Sequence, residues 1–586
     1  MGIVLLAFML RALYLLQARE HLFFNQGSDS LYYHRWAESI VGGSADSSVF
    51  FMGPLYPYLL ALFYRIFGPG HDVVLWFQTL LGSASCGLIY LLGRMTFGRT
   101  VGLLAALMGA LYGVAIFYGG LLLMTTTLYA INLLVLISIL WALRGKKWYL
   151  WIIPGLLLGL SSLGRASLLA FLPLLALGIF LLARDRGSKF LPRLRAVLAL
   201  LLGLFLVLAP VVVRNFLVAH DLVLITSNLG LNFYVGNNPE ARGDYQRPAG
   251  LVLSIDRSGS EIAEVLVGRK LKPSEVSRFW LQEALVFINK QPGAFLRLTL
   301  DKLLLFWNAY EIPQVEHFDF FKKFAPVLKW PLLTFSLLGP FGLLGMILSL
   351  GRWRESYFPL TFIVSMMAAI VLFFVISRLR FQICSVLMVF AAYALVWLWE
   401  RLRSRKIRQM IAAIVALIPL ILLVNRPHPA LSASRDMANS HNFLAEYLWK
   451  VSGDLQGALR EYQQAVAVDP NLAATYLNLA NLRLEQGRAG ETLDLWDKAL
   501  RLNPQLSAVH LNLGNVYAKQ KMWPQAIEEF RAAVEVGPYN VLAHLSLSRA
   551  IDGEEFSFSP SAARHSEALF KALQEREKQK SAESFQ

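Results

Sequence analysis

The chain has 586 residues, 56 % of them hydrophobic and only 16 % charged, with a formal net charge of +16. So apolar a composition excludes a purely soluble protein, and the length exceeds one ordinary domain. The excess positive charge lies mainly in short loops between apolar runs, which argues for membrane boundaries and against a nucleic-acid partner.

Stretches such as "LLGLFLVLAPVVV" and "AAIVALIPLILLV" are long and apolar enough to cross hydrocarbon as helices. About eleven spans are predicted, near 3–19, 74–93, 101–119, 121–143, 148–163, 167–183, 196–217, 327–350, 357–376, 383–399 and 409–424. Arg11 interrupts the first run and no basic region precedes it, so a retained span is expected rather than a signal peptide. The missing basic start points to a true N-terminus further upstream. Cys86 and Cys384 fall inside or beside apolar runs and imply neither a disulfide framework nor a metal site.

The loops "GRMTFGR", "RGKK", "ARDRGSKFLPRLR", "GRWRE" and "WERLRSRKIR" alternate along the chain and are all basic. The positive-inside rule makes them cytoplasmic. Residues 20–72, 218–325 and everything after 425 are then expected outside a cell (inner or plasma) membrane.

Asp29 is the first aspartate of the first outer loop, followed by a short helix with Tyr33, Trp36, Ala37 and Ile40 on one face. Its carboxylate suits either a proton acceptor or a helix N-cap. The long outer loop holds "GNNP" with Asn237 and Asn238, and ends near Glu311. These are candidate substrate contacts, though Asn-Asn-Pro equally suits a turn. The helix near 295–307 carries Arg297, Asp301 and Lys302, and is expected to lie along the interface. In "VISRLRFQIC", Arg378 and Arg380 sit between two apolar runs on the outer side, against the bias of the other loops. Two guanidiniums there point to an anion, with snorkelling as the alternative.

After residue 425 a linker (426–436) leads into a repeat. Pro470, Pro504 and Pro538 are 34 residues apart, as are Tyr462, Trp496 and Phe530, and Ala465, Ala499 and Ala533. Gly453 and Gly487 keep the period, with Lys521 in the third copy. This pattern resembles the tetratricopeptide (TPR) repeat. Three copies (437–470, 471–504, 505–538) and a cap fill 437–552, and 553–586 reads as a charged helix near 560–580 with a polar tail. Asn478, Asn481, Asn512 and Asn515 recur on the first helices, where amides can bind a protein partner's backbone or join neighbouring repeats.

Residues 1–425 resemble the protein O-mannosyltransferase-like branch of the GT-C membrane glycosyltransferases, which also includes the aminoarabinose transferase of lipid A. The marks are the first-loop acid, "GPLYPYLLALFYRIFG", "LSSLGRASLLAFLP" around Arg165, "RNFLVAHDLVLITSNLGLNFYVGNNPEARG", "FWNAYEIP" and the "SRLRF" turn, in that order. The resemblance implies an all-α membrane domain followed by an α-solenoid of repeats. It further implies an inverting glycosyltransferase that moves a sugar from a polyprenyl-phosphate donor to a protein or glycolipid hydroxyl. Asp29 would then be the base, with Arg378, Arg380 and Arg165 holding the lipid phosphate. No metal ligand is assigned, and a divalent metal is left open. Ser30 follows Asp29 where the family often has a second acid, and Thr125, Thr126 and Thr127 stand where many members carry a glutamate. An O-antigen ligase or polymerase-like enzyme and a non-catalytic TPR scaffold are the competing readings.

Overall fold

The computed structural model describes residues 1–21, 28–44, 48–145, 147–184, 190–248, 251 and 256–552. Among these residues every regular element is helical. The charged helix expected near 560–580 lies outside the described residues.

Two units are separable by their internal contacts. The first comprises Met1–Leu22, Asp29–Tyr245 and Lys272–Leu431, and the second comprises Phe23–Ser28, Gln246–Leu271 and Ser432–Gln586.

In the first unit, six helical segments are long and apolar enough to cross a membrane: His71–Thr96, Thr125–Gly145, Phe190–Ala219, Phe335–Leu372, Ser377–Arg403 and Ile407–Asn425. Shorter apolar helices cover Gly2–Ala18, Leu55–Phe67, Arg99–Leu111, Trp148–Gly164 and Ala166–Leu182. The protein is therefore a multi-pass membrane protein. The predicted span at 101–119 is broken at Tyr112, whose extended backbone pairs with Leu333. Helices Thr125–Gly145 and Ser377–Arg403 are the most enclosed, 83 % and 78 % buried over their apolar stretches, against 17 % for Ile407–Asn425. The latter helix therefore presents its side chains to lipid.

Close helix approach relies on small residues, as expected where no water drives association. A Cβ on Gly155 would stand 2.1 Å from the Leu200 carbonyl, and one on Gly203 would stand 2.3 Å from that of Ile152. Arg11 is tolerated inside because its guanidinium donates to the carbonyls of Ala7 and Gly109, each at 3.1 Å.

In the second unit, helix pairs Ala433–Lys450 with Leu455–Val468, Ala473–Glu485 with Ala489–Leu502, and Ser507–Lys519 with Trp523–Val536 follow one another. Helix Val541–Asp552 comes next, its Ala543 and Ala550 buried in the cluster around Phe530. The 34-residue columns form the core: Tyr462, Trp496 and Phe530 are at most 1 % exposed, and Ala465, Ala499 and Ala533 are fully buried. Gly453, Gly487 and Lys521 occupy the inter-helix turns with φ of 71°, 75° and 59°. That left-handed conformation explains the glycines.

Candidate active site

Helix Asp29–Val41 buries Tyr33, Trp36 and Ala37, the face read from the sequence. The Tyr33 ring packs edge-on against Tyr56 at 5.4 Å, and Trp36 lies 5.4 Å from Phe50. His34 Nδ1 and the Tyr64 hydroxyl are hydrogen-bonded at 3.0 Å. These contacts seat the helix on Leu55–Phe67 and fix the position of its first residue, Asp29.

The opposite wall begins at the turn after residue 372. There the Val375 amide donates to the Gly243 carbonyl and the Ser377 amide to that of Ile312, both at 2.9 Å. Gly236 is packed so tightly that a Cβ would meet the Phe373 carbonyl at 2.0 Å. Beside it, Asn237 Nδ2 donates to the Leu372 and Phe233 carbonyls at 3.0 and 2.9 Å. Asn238 donates to the Tyr234 carbonyl and accepts from the Glu240 amide, both at 2.9 Å. Both amides are thus engaged with backbone, and they shape the turn that presents Arg378.

Arg378 and Arg380 lie in the first turn of Ser377–Arg403 rather than in the preceding loop. Arg378 Nη2 is 2.5 Å from Asp29 Oδ2, joining residues 349 apart in sequence. The side chains are 14 % and 13 % exposed, so the pair is largely withdrawn from water. Arg378 Nε is buried and has no hydrogen-bond acceptor.

Arg380 points elsewhere. Its guanidinium donates to the carbonyls of Phe306, Asn308 and Tyr310, pairs with Glu311 at 3.0 Å, and stacks over the Phe335 ring at 3.8 Å. Every face of that group is occupied.

Arg165 stands where helix Ile152–Gly164 ends, in extended backbone with φ −152°. It is half-buried, and its side chain makes no hydrogen bond with a described residue. Burial and the nearby Arg378 push its pKa down to about 10, while Tyr33 and Asp29 oppose the shift. Arg165 therefore lies near enough to Arg378, Tyr33 and Asp29 to feel their charges, and its side chain has no hydrogen-bond partner among the described residues.

A second acid, Glu316, lies near the Asp29–Arg378 pair. Glu316 was not singled out from sequence, yet desolvation pushes its carboxyl up, Arg378 opposes this, and Asp29 adds to it. The only sequence signal was its place five residues after Glu311, just before the apolar "FDFF". Among the described residues, no group of three or more His, Cys, Asp or Glu side chains converges as a metal site.

In the repeats, the amide of Asn512 donates to Asn481 Oδ1 at 3.4 Å, a bond between consecutive copies. Asn478 and Asn515 are half-buried on the same two helices.

Residues 52–213 match the family described as dolichyl-phosphate-mannose-protein mannosyltransferase. Of the site residues, only Arg165 lies within that segment. Residues 452–487 match the TPR repeat and residues 477–541 the tetratricopeptide repeat. No curated protein matches the chain. Among solved structures, the chain is similar to the Archaeoglobus fulgidus oligosaccharyltransferase in the apo form, at 14 % identity over 78 % of this chain and 55 % of that one, with a TM-score of 0.42. It is also similar to the archaeal oligosaccharyltransferase from the same organism in complex with an inhibitory peptide and a dolichol-phosphate, at 15 % identity over 86 % and 59 %, with a TM-score of 0.39. The chain spans a little over half the length of these proteins. Residues 52–213 are thus similar to a protein-mannosyltransferase family and residues 452–541 to tetratricopeptide repeats, in a multi-pass membrane protein.

Proposed function

We propose that the chain transfers a sugar from a polyprenyl-phosphate donor to a hydroxyl on the non-cytoplasmic side of the cell membrane, with the repeats recruiting a protein acceptor or partner. The observation that carries this reading is the meeting of Asp29 and Arg378 at 2.5 Å, near a half-buried Arg165 whose side chain has no hydrogen-bond partner among the described residues.

In this mechanism the acceptor oxygen bonds to the anomeric carbon and gives its proton to Asp29. The bond from that carbon to the phosphate oxygen breaks on the opposite face, and the electron pair leaves on the lipid phosphate. Arg378 and Arg165 offset the charge that develops there, using donors already oriented in a site of low polarity. Before the donor arrives, Arg378 holds Asp29 and weakens it as a base. The phosphate competes for the same guanidinium, beginning with the unused Nε, and so restores the basicity of Asp29. Glu316 lies near the same charges, its carboxyl pushed up by desolvation and held down by Arg378. Arg380 serves as a positioning residue that fixes the start of the helix bearing Arg378.

The test is transfer from a labelled polyprenyl-phosphate sugar by the purified chain in vesicles. Asp29→Asn is expected to lower turnover by about 10²-fold or more, the range for loss of a general base. Arg378→Ala is expected to weaken donor binding and slow turnover together. Full activity in Asp29→Asn would remove the assigned base. No turnover with any polyprenyl donor would favour a membrane-anchored scaffold. A reporter fused after residue 430 that reads as cytoplasmic would reverse the proposed sidedness.

A further inference from the structure

The far end of helix Ser377–Arg403 carries a second constellation of charge, roughly 35 Å along the axis from Arg378. A cavity of about 370 Å³ opens there between helix ends, lined by Arg352, Tyr393, Trp397, Glu400 and Arg401 above Leu348. Arg352 is half committed, with Nε and Nη2 bonded to the Glu355 carboxylate at 3.0 and 3.3 Å. Arg401 lies over the Trp397 ring at 4.8 Å, and its Nε is buried without an acceptor. An N–H withdrawn from water with nothing to bond is disfavoured unless a ligand supplies the acceptor. Glu400, at the exposed mouth, has no ion-pair partner among the described residues. The cavity therefore offers an unsatisfied cationic donor, a free carboxylate and an aromatic wall, at the end where the basic segments "GRMTFGR", "GRWRE" and "WERLRSRKIR" converge.

We infer that this cavity binds the headgroup of an aminophospholipid in the leaflet opposite the proposed catalytic face, the phosphodiester on Arg401 and Arg352 and the ammonium on Glu400. Basic recesses between the ends of spanning helices are suited to lipid headgroups, because the acyl chains continue along apolar helix faces. A purely anionic headgroup would leave Glu400 opposed to a like charge. A choline headgroup has no N–H to give that carboxylate. The inference is independent of the transferase reading, since no residue of the cavity belongs to the Asp29 site.

The test uses the purified full chain, delipidated in detergent and offered phosphatidylethanolamine, phosphatidylglycerol and phosphatidylcholine in equal amounts. Retained lipid is counted by native mass spectrometry. The expected result is one phosphatidylethanolamine retained in preference to the other two. Arg401→Lys keeps the charge but removes the buried Nε donor, and should lower occupancy about tenfold, the effect of one lost charge-assisted hydrogen bond. Glu400→Gln should still hold one lipid but lose the preference for ethanolamine over glycerol. Arg354→Gln, at the same end but outside the cavity, should behave as wild type. Equal retention of all three lipids, or wild-type occupancy in Arg401→Lys, would overturn the assignment. So would displacement of the lipid by an equal concentration of soluble O-phosphoethanolamine or inorganic phosphate, which would point to a free ligand instead. Gel filtration confirms that each variant is folded, and two independent substitutions keep the test decisive if one is not.

Discussion

Arg378 and Arg380 are alike in type and two residues apart, yet a helix turns successive side chains by about 100° and sends them in nearly opposite directions. Arg378 reaches Asp29 and keeps Nε unused, whereas Arg380 is enclosed by three carbonyls, Glu311 and Phe335. Arg380→Met should therefore act on stability, because it strands the Glu311 carboxylate and three carbonyls at once. A loss of about 3–5 kcal/mol is expected, the range for breaking one partner out of a buried pair. Adding Glu311→Leu should recover much of it, as read by thermal unfolding in detergent. Arg378→Ala leaves the Asp29 carboxylate unpaired in a largely buried site, so a loss of stability should accompany the fall in donor transfer. From sequence, both arginines and Asp29 were visible because charge at an apolar boundary is unusual. Their division of labour was not, since it depends on where helix Ser377–Arg403 begins. Glu316 was invisible for a related reason: its desolvation comes from distant segments, and "PQVEHF" carries no local sign of that.

At the scale of elements, apolar length made the spans legible, but irregular joints were not. The break at Tyr112 and the turn after residue 372 are set by partners far along the chain, Leu333 in one case and Gly236 to Gly243 in the other. Helix Pro292–Phe306 shows what such packing does to a charge. Lys302, expected at an interface, is fully buried and donates to Asn237 Oδ1 at 2.8 Å. Burial pushes its pKa down to about 7. Above pH 10.5, the ordinary value, both folded and unfolded chains hold this lysine neutral and no penalty arises. As pH falls from there toward 7, the unfolded chain gains a proton that the folded chain does not, so stability drops and then levels off. The full penalty is about 5 kcal/mol at most. Lys302→Met should raise the melting temperature at pH 7, less the roughly 1–3 kcal/mol lost when Asn237 Oδ1 is left unpaired. The gain should shrink steadily by pH 10, and a gain independent of pH would refute the account. In the repeats, Lys521 holds φ at 59° where the two earlier copies use glycine. Lys521→Gly should stabilise the repeat unit by about 1 kcal/mol, the cost of a side chain in the left-handed region. Chemical denaturation followed by circular dichroism would measure it.

For the whole molecule, the question is why a membrane domain with a proposed catalytic site and a solenoid share one chain. The last spanning helix, Ile407–Asn425, ends beside the proposed site: the Val424 carbonyl accepts from the Ala309 amide at 2.7 Å, and the Arg426 carbonyl from Asn308 Nδ2 at 2.8 Å. Asn308 and Tyr310 belong to the strip of backbone that holds Arg380. The helix end at Asn425 is therefore tied to the backbone that holds Arg380, and the proposed topology puts the chain's exit there on the non-cytoplasmic side. With the repeats on the proposed outer side, covalent linkage would raise the local concentration of anything they bind, without any new contact at the reacting atoms. Removing residues 432–586 should accordingly leave donor binding and turnover with a simple hydroxyl acceptor intact. For a protein acceptor, the KM should rise by about 10²-fold or more, the effect of losing a tethered second site, with kcat little changed. Steady-state transfer by the shortened chain, measured with both acceptor types, separates these outcomes. An equal loss with both would mean that the repeats support the membrane domain itself rather than deliver its substrate.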